Sequence, residues 1–172
     1  PGAGADLARQ WNAGWAASSG DRLVFVAPNA SIAAESLATL SAALDMPGVA
    51  LVQPLNETPA MTVHSAGAYF PPNDIVPSPL LHDHPTSDAE ALGVAAIPAA
   101  YSAVVGLRSE LFGKLHGFDE RYANSFAEVD LSLRCTAAGA GTTTLVPAAR
   151  AVVKAERKAF GSTAAASAKL LR

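Results

Sequence analysis

The stretch from Leu107 to Arg134, LRSELFGKLHGFDERYANSFAEVDLSLR, decides the fold and contains the acidic residues best placed to do chemistry. In its first part, leucine and phenylalanine recur at helical spacing, which predicts a short amphipathic helix that breaks between Gly113 and Gly117. A second helix is predicted to begin near Phe126, with Asn124 or Ser125 as the N-cap residue.

Three charged residues follow in that second helix. Glu128 falls in the first turn, where the helix dipole favours a carboxylate. Asp130 and Arg134 are four residues apart, which predicts an ion pair on one side of the helix. Gly139 follows the last helical positions and is typical of a C-terminal stop. The sequence therefore predicts a capped helix with one carboxylate at its start and one ion pair in its middle.

Outside this stretch, helices and strands alternate. The apolar runs Leu23–Val26 and Val49–Val52 predict neighbouring buried strands. Helices are predicted over residues 1–20 and from Ser31 or Ala33 to about Leu44. This order favours a parallel sheet covered on both faces. Further strands are predicted at residues 93–97, 101–107, 142–146 and 151–153.

Residues 53–90 are rich in proline, and we expect extended pieces and loops there, with a short hairpin around residues 61–63. A loop of this length is usually functional or mobile. It contains His82-Asp83-His84, which is either a metal site or an exposed polar loop. Because no further ligands are evident, the polar loop is favoured.

Composition limits the classes of function. The chain has 172 residues, half of them hydrophobic, enough for one domain with a core. Its net charge of -3 gives no electrostatic case for binding nucleic acid. No apolar run approaches the roughly 18–20 residues that span a membrane. The lone Cys135 is expected to be a small buried residue. These features fit a cytoplasmic location.

Two sets of residues share one family's order and spacing. The first comprises Leu107-Arg108, Leu111-Phe112, Gly117-Phe118-Asp119-Glu120, the run from Glu128 to Arg134, Gly139 and Pro147-Ala148-Ala149-Arg150. The second comprises Ala8-Arg9, Asn12, Gly14, Gly20-Asp21, Leu23 and Phe25-Val26. Together they resemble family 2 glycosyltransferases over roughly residues 7–155. The tripeptide Ala27-Pro28-Asn29 stands where that family has Asp-x-Asp, or Asn-Pro-Asp in its rhamnosyl- and galactofuranosyl-type branches.

The resemblance implies an α/β, Rossmann-like nucleotide-diphospho-sugar transferase fold of the GT-A type. Its sheet would be mixed and mostly parallel, with helices on both faces and the N-terminal nucleotide-binding portion missing. Residues 1–155 would form the partial transferase-like domain and 156–172 a basic helix or tail, which is solvated or touches a membrane surface. The activity implied is inverting transfer from a nucleotide-diphosphate sugar to a glycan or lipid-linked acceptor, with the rest of a longer polypeptide upstream.

The resemblance also implies roles for individual residues. Glu128 stands at the position of the general base, although a purely structural helix-end role is an equal alternative. Asp119, Glu120 and Asp130 are implied in substrate binding, with a turn role open for the first two and a structural role for the third. We expect Glu128 to face the cleft, Asp130 to point elsewhere, Leu131 to mark the edge between cleft and core, and Leu133 to be buried.

Asn29 and Lys154 are implied in cofactor binding, where the family holds Mn²⁺ or Mg²⁺ with a carboxylate and often a histidine. An amide is a poorer ligand for a hard cation than a carboxylate. A protonated lysine cannot ligate, yet it can offer a positive charge to a phosphate. We therefore expect no tight metal site. Two alternatives remain open: a metal-independent enzyme that uses Lys154, or a catalytically inactive scaffold or partner-binding domain.

Overall fold

The computed structural model describes residues 7–72, 74, 76–122 and 126–154. The helices are α1 (Leu7–Ala16), α2 (Ala34–Ala43), α3 (Thr86–Ala91), α4 (Ser109–Lys114) and α5 (Ala127–Ala137). The strands are β1 (Arg22–Val26), β2 (Ala30–Ile32), β3 (Val49–Glu57), β4 (Val63–Ser65), β5 (Ala68–Tyr69), β6 (Ser78–Pro79), β7 (Ala95–Ile97), β8 (Val104–Arg108) and β9 (Thr142–Val153). The predicted N-cap residues Asn124 and Ser125 and the basic segment 156–172 lie outside the described residues.

The main sheet is mixed, which confirms the predicted α/β class. Its strand order is β1-β8-β3-β9-β2, with β4 also paired to β3 and β7 to β9. Among the described strands, parallel pairing joins β3 to β9, and the other pairs are antiparallel. Strands β5 and β6 form a separate two-stranded sheet.

The two apolar runs are strands, as predicted, but they are not neighbours, because β8 lies between β1 and β3. Strand β1 lies at one end of this strand order, and its buried positions alternate with more exposed ones, so it is not buried on both faces. Val26 is 37% exposed. The prediction of two adjacent buried strands is therefore wrong for β1, since an apolar run alone does not distinguish an end strand from a central one.

Helices cover both faces of the sheet, as predicted. On one face, α1, α4 and α5 pack over β1, β8 and β3. Four aromatic rings, Trp11, Phe25, Phe112 and Phe118, fill the centre of that layer with centroid separations of 5.0–5.5 Å. On the other face, α2 buries Leu40 and Leu44 against β3 and β9.

Strand β3 is longer than predicted. It continues through Gln53, Pro54 and Asn56, which the proline-rich pattern placed in a loop region. Gln53 and Asn56 are fully buried, and they bond to the segment that precedes β8. Gln53 Oε1 accepts from the Tyr101 amide at 2.9 Å. Asn56 Nδ2 donates to Ser102 Oγ at 2.8 Å. The loop prediction for residues 53–56 failed because the hydrogen-bond partners that allow these polar side chains to be buried lie far away in sequence.

Strand β9 is one strand where two were predicted, and it contains a bulge. Pro54 lies opposite Val146, whereas the next residue of β3, Leu55, lies opposite Arg150. The three residues between them, 147–149, are extra on the β9 side. A bulge bends its strand and re-aims the residues beyond it. The end of β9 then pairs antiparallel with β2, a strand in the place where the sequence pattern allowed a helix to start.

The remaining local expectations are met in part. The hairpin near residues 61–63 is present: β3 and β4 pair, and the Thr58 amide donates to the Thr62 carbonyl at 2.8 Å. Helix α3, after Pro85, was not predicted. Gly139 ends α5 with φ of 63°. Leu133 is half-buried rather than buried, and Leu131 is fully buried.

Candidate functional site

One edge of the main sheet collects the carboxyl ends of β1, β3 and β9. Strand β8 runs antiparallel to β1 and β3, so its amino end lies at the same edge. The Ala27 amide, just after β1, donates to the Ala103 carbonyl, just before β8, at 2.8 Å. In open α/β sheets, ligands bind outside the carboxyl ends of strands. This edge is therefore where a site is expected.

Asn29 and Lys154 lie side by side at this edge. The Ala30 amide donates to the Ala27 carbonyl at 3.0 Å, which closes a tight turn between β1 and β2. The Lys154 amide donates to the Asn29 carbonyl at 2.9 Å, and Asn29 Nδ2 donates to the Lys154 carbonyl at 3.3 Å. The two residues predicted to bind a cofactor are thus brought together across 125 positions of sequence.

The first turn of α5, which carries Glu128, is fastened beside the same edge. Ser132 Oγ accepts from the Ala100 amide at 3.0 Å and donates to the Glu128 carbonyl at 2.7 Å. The Phe126 ring lies 6.1 Å from the Tyr101 ring. Because residues 100–101 lead into the amino end of β8, these contacts hold the start of α5 beside the segment that enters β8. The Glu128 residue is half-buried.

Asp130 has a different environment. Its carboxylate pairs with Arg134 at 2.7 Å, and Arg134 also donates to the carbonyls of Leu115 and Gly117 at 2.6 and 2.9 Å. Burial raises the pKa of Asp130, against the opposing effect of the Arg134 hydrogen bond. Two helical steps turn a side chain by about 200°, so Asp130 and Glu128 project differently. Arg134, paired with Asp130, fastens α5 to the turn after α4, and the predicted contact of Asp130 with substrate remains a prediction.

Asp119 and Glu120 are engaged by neighbouring side chains. Asp119 accepts from Arg121 Nη2 at 2.5 Å and from its Nε at 2.9 and 3.0 Å, and these hydrogen bonds lower the pKa of Asp119. Glu120 accepts from Arg9 Nε and Asn12 Nδ2, each at 3.2 Å. Their role in binding an acceptor therefore stays a prediction, alongside an observed role in holding this turn.

Asn12 links the two sets of residues that carry the family resemblance, because it is hydrogen-bonded to Phe118 in the turn after α4. Its Oδ1 accepts from the Phe118 amide, and its Nδ2 donates to the Phe118 carbonyl, both at 2.9 Å. The Asn12 side-chain amide thus satisfies both the N–H and the C=O of Phe118, as a residue on a neighbouring strand would. No local pattern in the sequence could reveal this contact, which spans 106 positions.

The residues near Asn29 do not fit a Mn²⁺ or Mg²⁺ site. Hard cations prefer carboxylate oxygens, and the turn offers an amide beside a lysine. Glu57, at the end of β3, is occupied by Arg150 at 2.8 Å, and Arg150 also pairs with Glu90. Across the described ranges, no group of three or more His, Cys, Asp or Glu could hold a metal ion.

The triplet at residues 82–84 is divided between separate partners. His82 Nδ1 lies 2.9 Å from the His64 carbonyl oxygen, whereas His84 Nδ1 lies 3.0 Å from Asp88 Oδ2. Burial lowers the pKa of His64, whose ring stacks edge-on against His82 at 5.9 Å. These contacts suit the polar-loop interpretation, with the two histidines joining the loop to β4 and α3.

Comparison with solved structures gives the fold. The chain is similar to GalNAc-T7 bound to UDP, GalNAc and Mn²⁺, with a TM-score of 0.67 and 16% identity over 92% of this chain and 32% of the other. It is also similar to the mannosyltransferase PcManGT from Pyrobaculum calidifontis in complex with GDP-Man and Mn²⁺. There the TM-score is 0.55 and the identity 18%, over 89% of this chain and 37% of that one.

The fold is that of the GT-A glycosyltransferases. The chain spans about a third of the length of these two structures. No protein-family model and no curated protein matches the sequence. Among the described helices, none has the length and apolar character needed to cross a bilayer.

Proposed function

We propose that this chain is part of a glycosyltransferase domain that moves a sugar from a nucleotide-diphosphate sugar to a glycan or lipid-linked acceptor, with inversion at the sugar carbon. The observation that carries the proposal is a GT-A sheet with Asn29 and Lys154 hydrogen-bonded at its carboxyl edge, beside which α5, the helix that carries Glu128, is bonded through Ser132 to the segment before β8. The two solved structures bind UDP and GDP-Man, which supports the donor class. Pro28 supports a deoxyhexose or furanose donor within that class.

In the proposed reaction, the Glu128 carboxylate accepts the proton of an acceptor hydroxyl. The acceptor oxygen forms a bond to the anomeric carbon as the bond from that carbon to the diphosphate oxygen breaks. The nucleoside diphosphate leaves with the electron pair. A general base of this kind contributes when it reaches the hydroxyl at hydrogen-bond distance. The half-buried position of Glu128 at the start of α5 suits that role.

Contacts to the base and ribose of the donor are proposed to come from polypeptide that precedes Pro1. The acceptor would then lie against the described residues. Transfer is therefore best measured in a polypeptide that carries these 172 residues together with whatever precedes them.

The test is Glu128→Gln in that polypeptide, with sugar transfer measured from UDP-, GDP- and dTDP-sugars. We expect turnover to fall by about 10²- to 10⁴-fold, because the amide keeps the size of the side chain but removes the base. Glu110→Gln is the matched control, since that carboxylate pairs with Lys114 on the exposed side of α4. Unchanged turnover in Glu128→Gln, with full transfer in the parent, would make Glu128 a helix-end carboxylate only.

A second candidate is a transferase-like scaffold that binds a partner without catalysis. The observation that favours it is the chemistry of the Asn29–Lys154 pair, which lacks the carboxylate that a Mn²⁺-dependent transferase needs. Under this alternative, none of the donors supports transfer at any metal concentration, and the folded chain still binds a specific partner. Detectable transfer abolished by Glu128→Gln would exclude the scaffold.

A further inference from the structure

We infer that the turn Ala27–Ala30 and the end of β9 hold a diphosphate without a divalent cation, with the Lys154 ammonium supplying the positive charge. The inference rests on the proposed function, because it concerns the same edge of the sheet. It differs from what the solved structures suggest, since both of those hold Mn²⁺ beside a nucleotide.

The first support is the local backbone. Asn29 and Lys154 are joined by two hydrogen bonds, and the Ala27 carbonyl closes the turn in front of them. The start of the Lys154 side chain is therefore fixed beside the turn, while the residue itself is exposed. A lysine placed in this way acts as a point charge toward a phosphate, with three N–H donors.

The second support is the state of the neighbouring carboxylates. A divalent cation at this edge would need at least one carboxylate as a ligand, and the proposed function assigns Glu128 to the acceptor hydroxyl. Glu57, the carboxylate that ends β3, is already paired with Arg150, and its side chain is 14% exposed. Arg150 also holds Glu90 of α3. Moving Glu57 to a metal would leave Arg150 with one partner fewer, so this carboxylate is better explained as a support for β9.

The third support is the bulge at residues 147–149. Beyond these three extra residues, β9 pairs with the end of β3 on one side and with β2 on the other, with Val153 opposite Ala30. This pairing on both sides places Lys154, the residue after β9, at the carboxyl ends of the strands. Anionic ligands are expected at that position in an α/β sheet.

Calorimetric titration of the chain with UDP, GDP and inorganic pyrophosphate, in EDTA, tests the inference. We expect binding in EDTA, and a loss of about 10- to 100-fold in affinity in Lys154→Gln, the size of a lost hydrogen bond between charged groups. Lys114→Gln is the matched control, because Lys114 lies exposed on α4 and pairs with Glu110. Circular dichroism melts confirm that both variants fold.

A second variant tests whether nucleotide binding depends on Mn²⁺. Asn29→Asp combined with Lys154→His restores a carboxylate and an imidazole, so its nucleotide affinity should rise at least about tenfold on adding Mn²⁺, whereas that of the parent should change less than about twofold. Parent binding that requires Mn²⁺, or that is indifferent to Lys154→Gln, overturns the inference. Absence of binding by pyrophosphate and both nucleotides in EDTA overturns it as well.

The failures of the two proposals are distinguishable. Sugar transfer that occurs only with Mn²⁺ would refute the metal-free site and leave the transferase function in place. Lys154-dependent binding of pyrophosphate in EDTA, without transfer of any sugar by the longer polypeptide, would refute the function and leave the anion site in place.

Discussion

Replacing Arg134 with methionine should destabilise the fold without changing Asn29, Glu128 or Lys154. Methionine keeps much of the apolar stem but removes the guanidinium, which pairs with Asp130 at 2.7 Å and donates to the carbonyls of Leu115 and Gly117. The change therefore leaves one half-buried carboxylate and two carbonyls short of a donor.

The expected cost depends on the burial of the pair. Breaking a fully buried ion pair costs about 3–5 kcal/mol. The Arg134 side chain is 30% exposed and the Asp130 side chain 17% exposed, so water replaces part of the loss. We therefore expect about 2–3 kcal/mol at neutral pH. For a chain of this length, that lowers the melting temperature by about 4–12 °C.

The loss should depend on pH in a direction that the structure fixes. Burial raises the pKa of Asp130, so the folded state holds this proton more tightly than the unfolded chain does. Such a group contributes stability that is present below its unfolded pKa of 3.8 and lost as the pH rises through the folded value. Removing Arg134 raises the folded value further. The destabilisation should therefore be largest near neutral pH and smaller near pH 4.

Urea unfolding followed by circular dichroism at pH 7 and pH 4.5 measures both effects. Asp130→Asn with Arg134→Met is the informative double variant, because it removes the carboxylate that the single change leaves unpaired. We expect the double variant to be more stable at pH 7 than Arg134→Met alone. A single variant within about 0.5 kcal/mol of the parent, or a loss that grows toward low pH, would refute this account of the pair.

Four further predictions concern packing and burial. Asn12→Ala should lower the free energy of unfolding in urea by about 1–3 kcal/mol, because it removes both hydrogen bonds to the Phe118 backbone after α4. An unchanged free energy would show that the turn is stable without Asn12. Gly141→Ala should unfold the chain or cost more than about 3 kcal/mol, since its φ is +131° and an added Cβ would lie 2.4 Å from the Gly48 carbonyl oxygen. Gly14→Ala, in the open middle of α1, should instead stabilise by about 0.5–1 kcal/mol, and equal melting temperatures for these two variants would contradict the reasoning. Cys135 should react with a disulfide reagent at pH 8 only after denaturant is added, because burial raises the pKa of its thiol to about 11; rapid reaction of the folded chain would argue against that burial.

Local patterns predicted the helices of this fold well. The spacing of apolar residues located α1, α2, α4 and α5, and Gly139 ended α5 where expected, with the Ala140 amide donating to the Cys135 carbonyl at 3.0 Å. The i,i+4 spacing likewise predicted the Asp130–Arg134 pair. Each of these features depends on interactions within one or two turns of the chain, so the sequence contains the necessary information locally.

The sheet was harder to predict, because its pairings join distant segments. Leu23–Val26 and Val49–Val52 looked alike in sequence, yet β1 ends the sheet and β3 lies inside it. The buried amides of Gln53 and Asn56 concealed the second half of β3, since their partners, just before β8, lie 48 and 46 residues away. No local pattern reports such a partner.

The candidate site was predicted residue by residue, with an expected direction for the side chains of Glu128 and Asp130 only. Asn29, Glu128 and Lys154 were singled out by resemblance, but nothing in the sequence showed that Asn29 and Lys154 are hydrogen-bonded to each other. The supporting residues Ser132 and Arg150 were not singled out as such. Both hold site-bearing segments through contacts that are visible only once the chain is folded.

The bulge in β9 makes the length of the segment 147–149 important for how the strand resumes its pairing with β3. The three residues have no partner on β3, and their number sets the path by which Arg150 arrives opposite Leu55. Side chains alternate along a strand, so a deletion that shifted the pairing beyond them by one position would turn each following side chain to the opposite side. The core before Val146 would keep its pairing with β3, and the chain would still fold around its aromatic centre. Relatives that tolerate many substitutions at these three positions should therefore tolerate no change in their number.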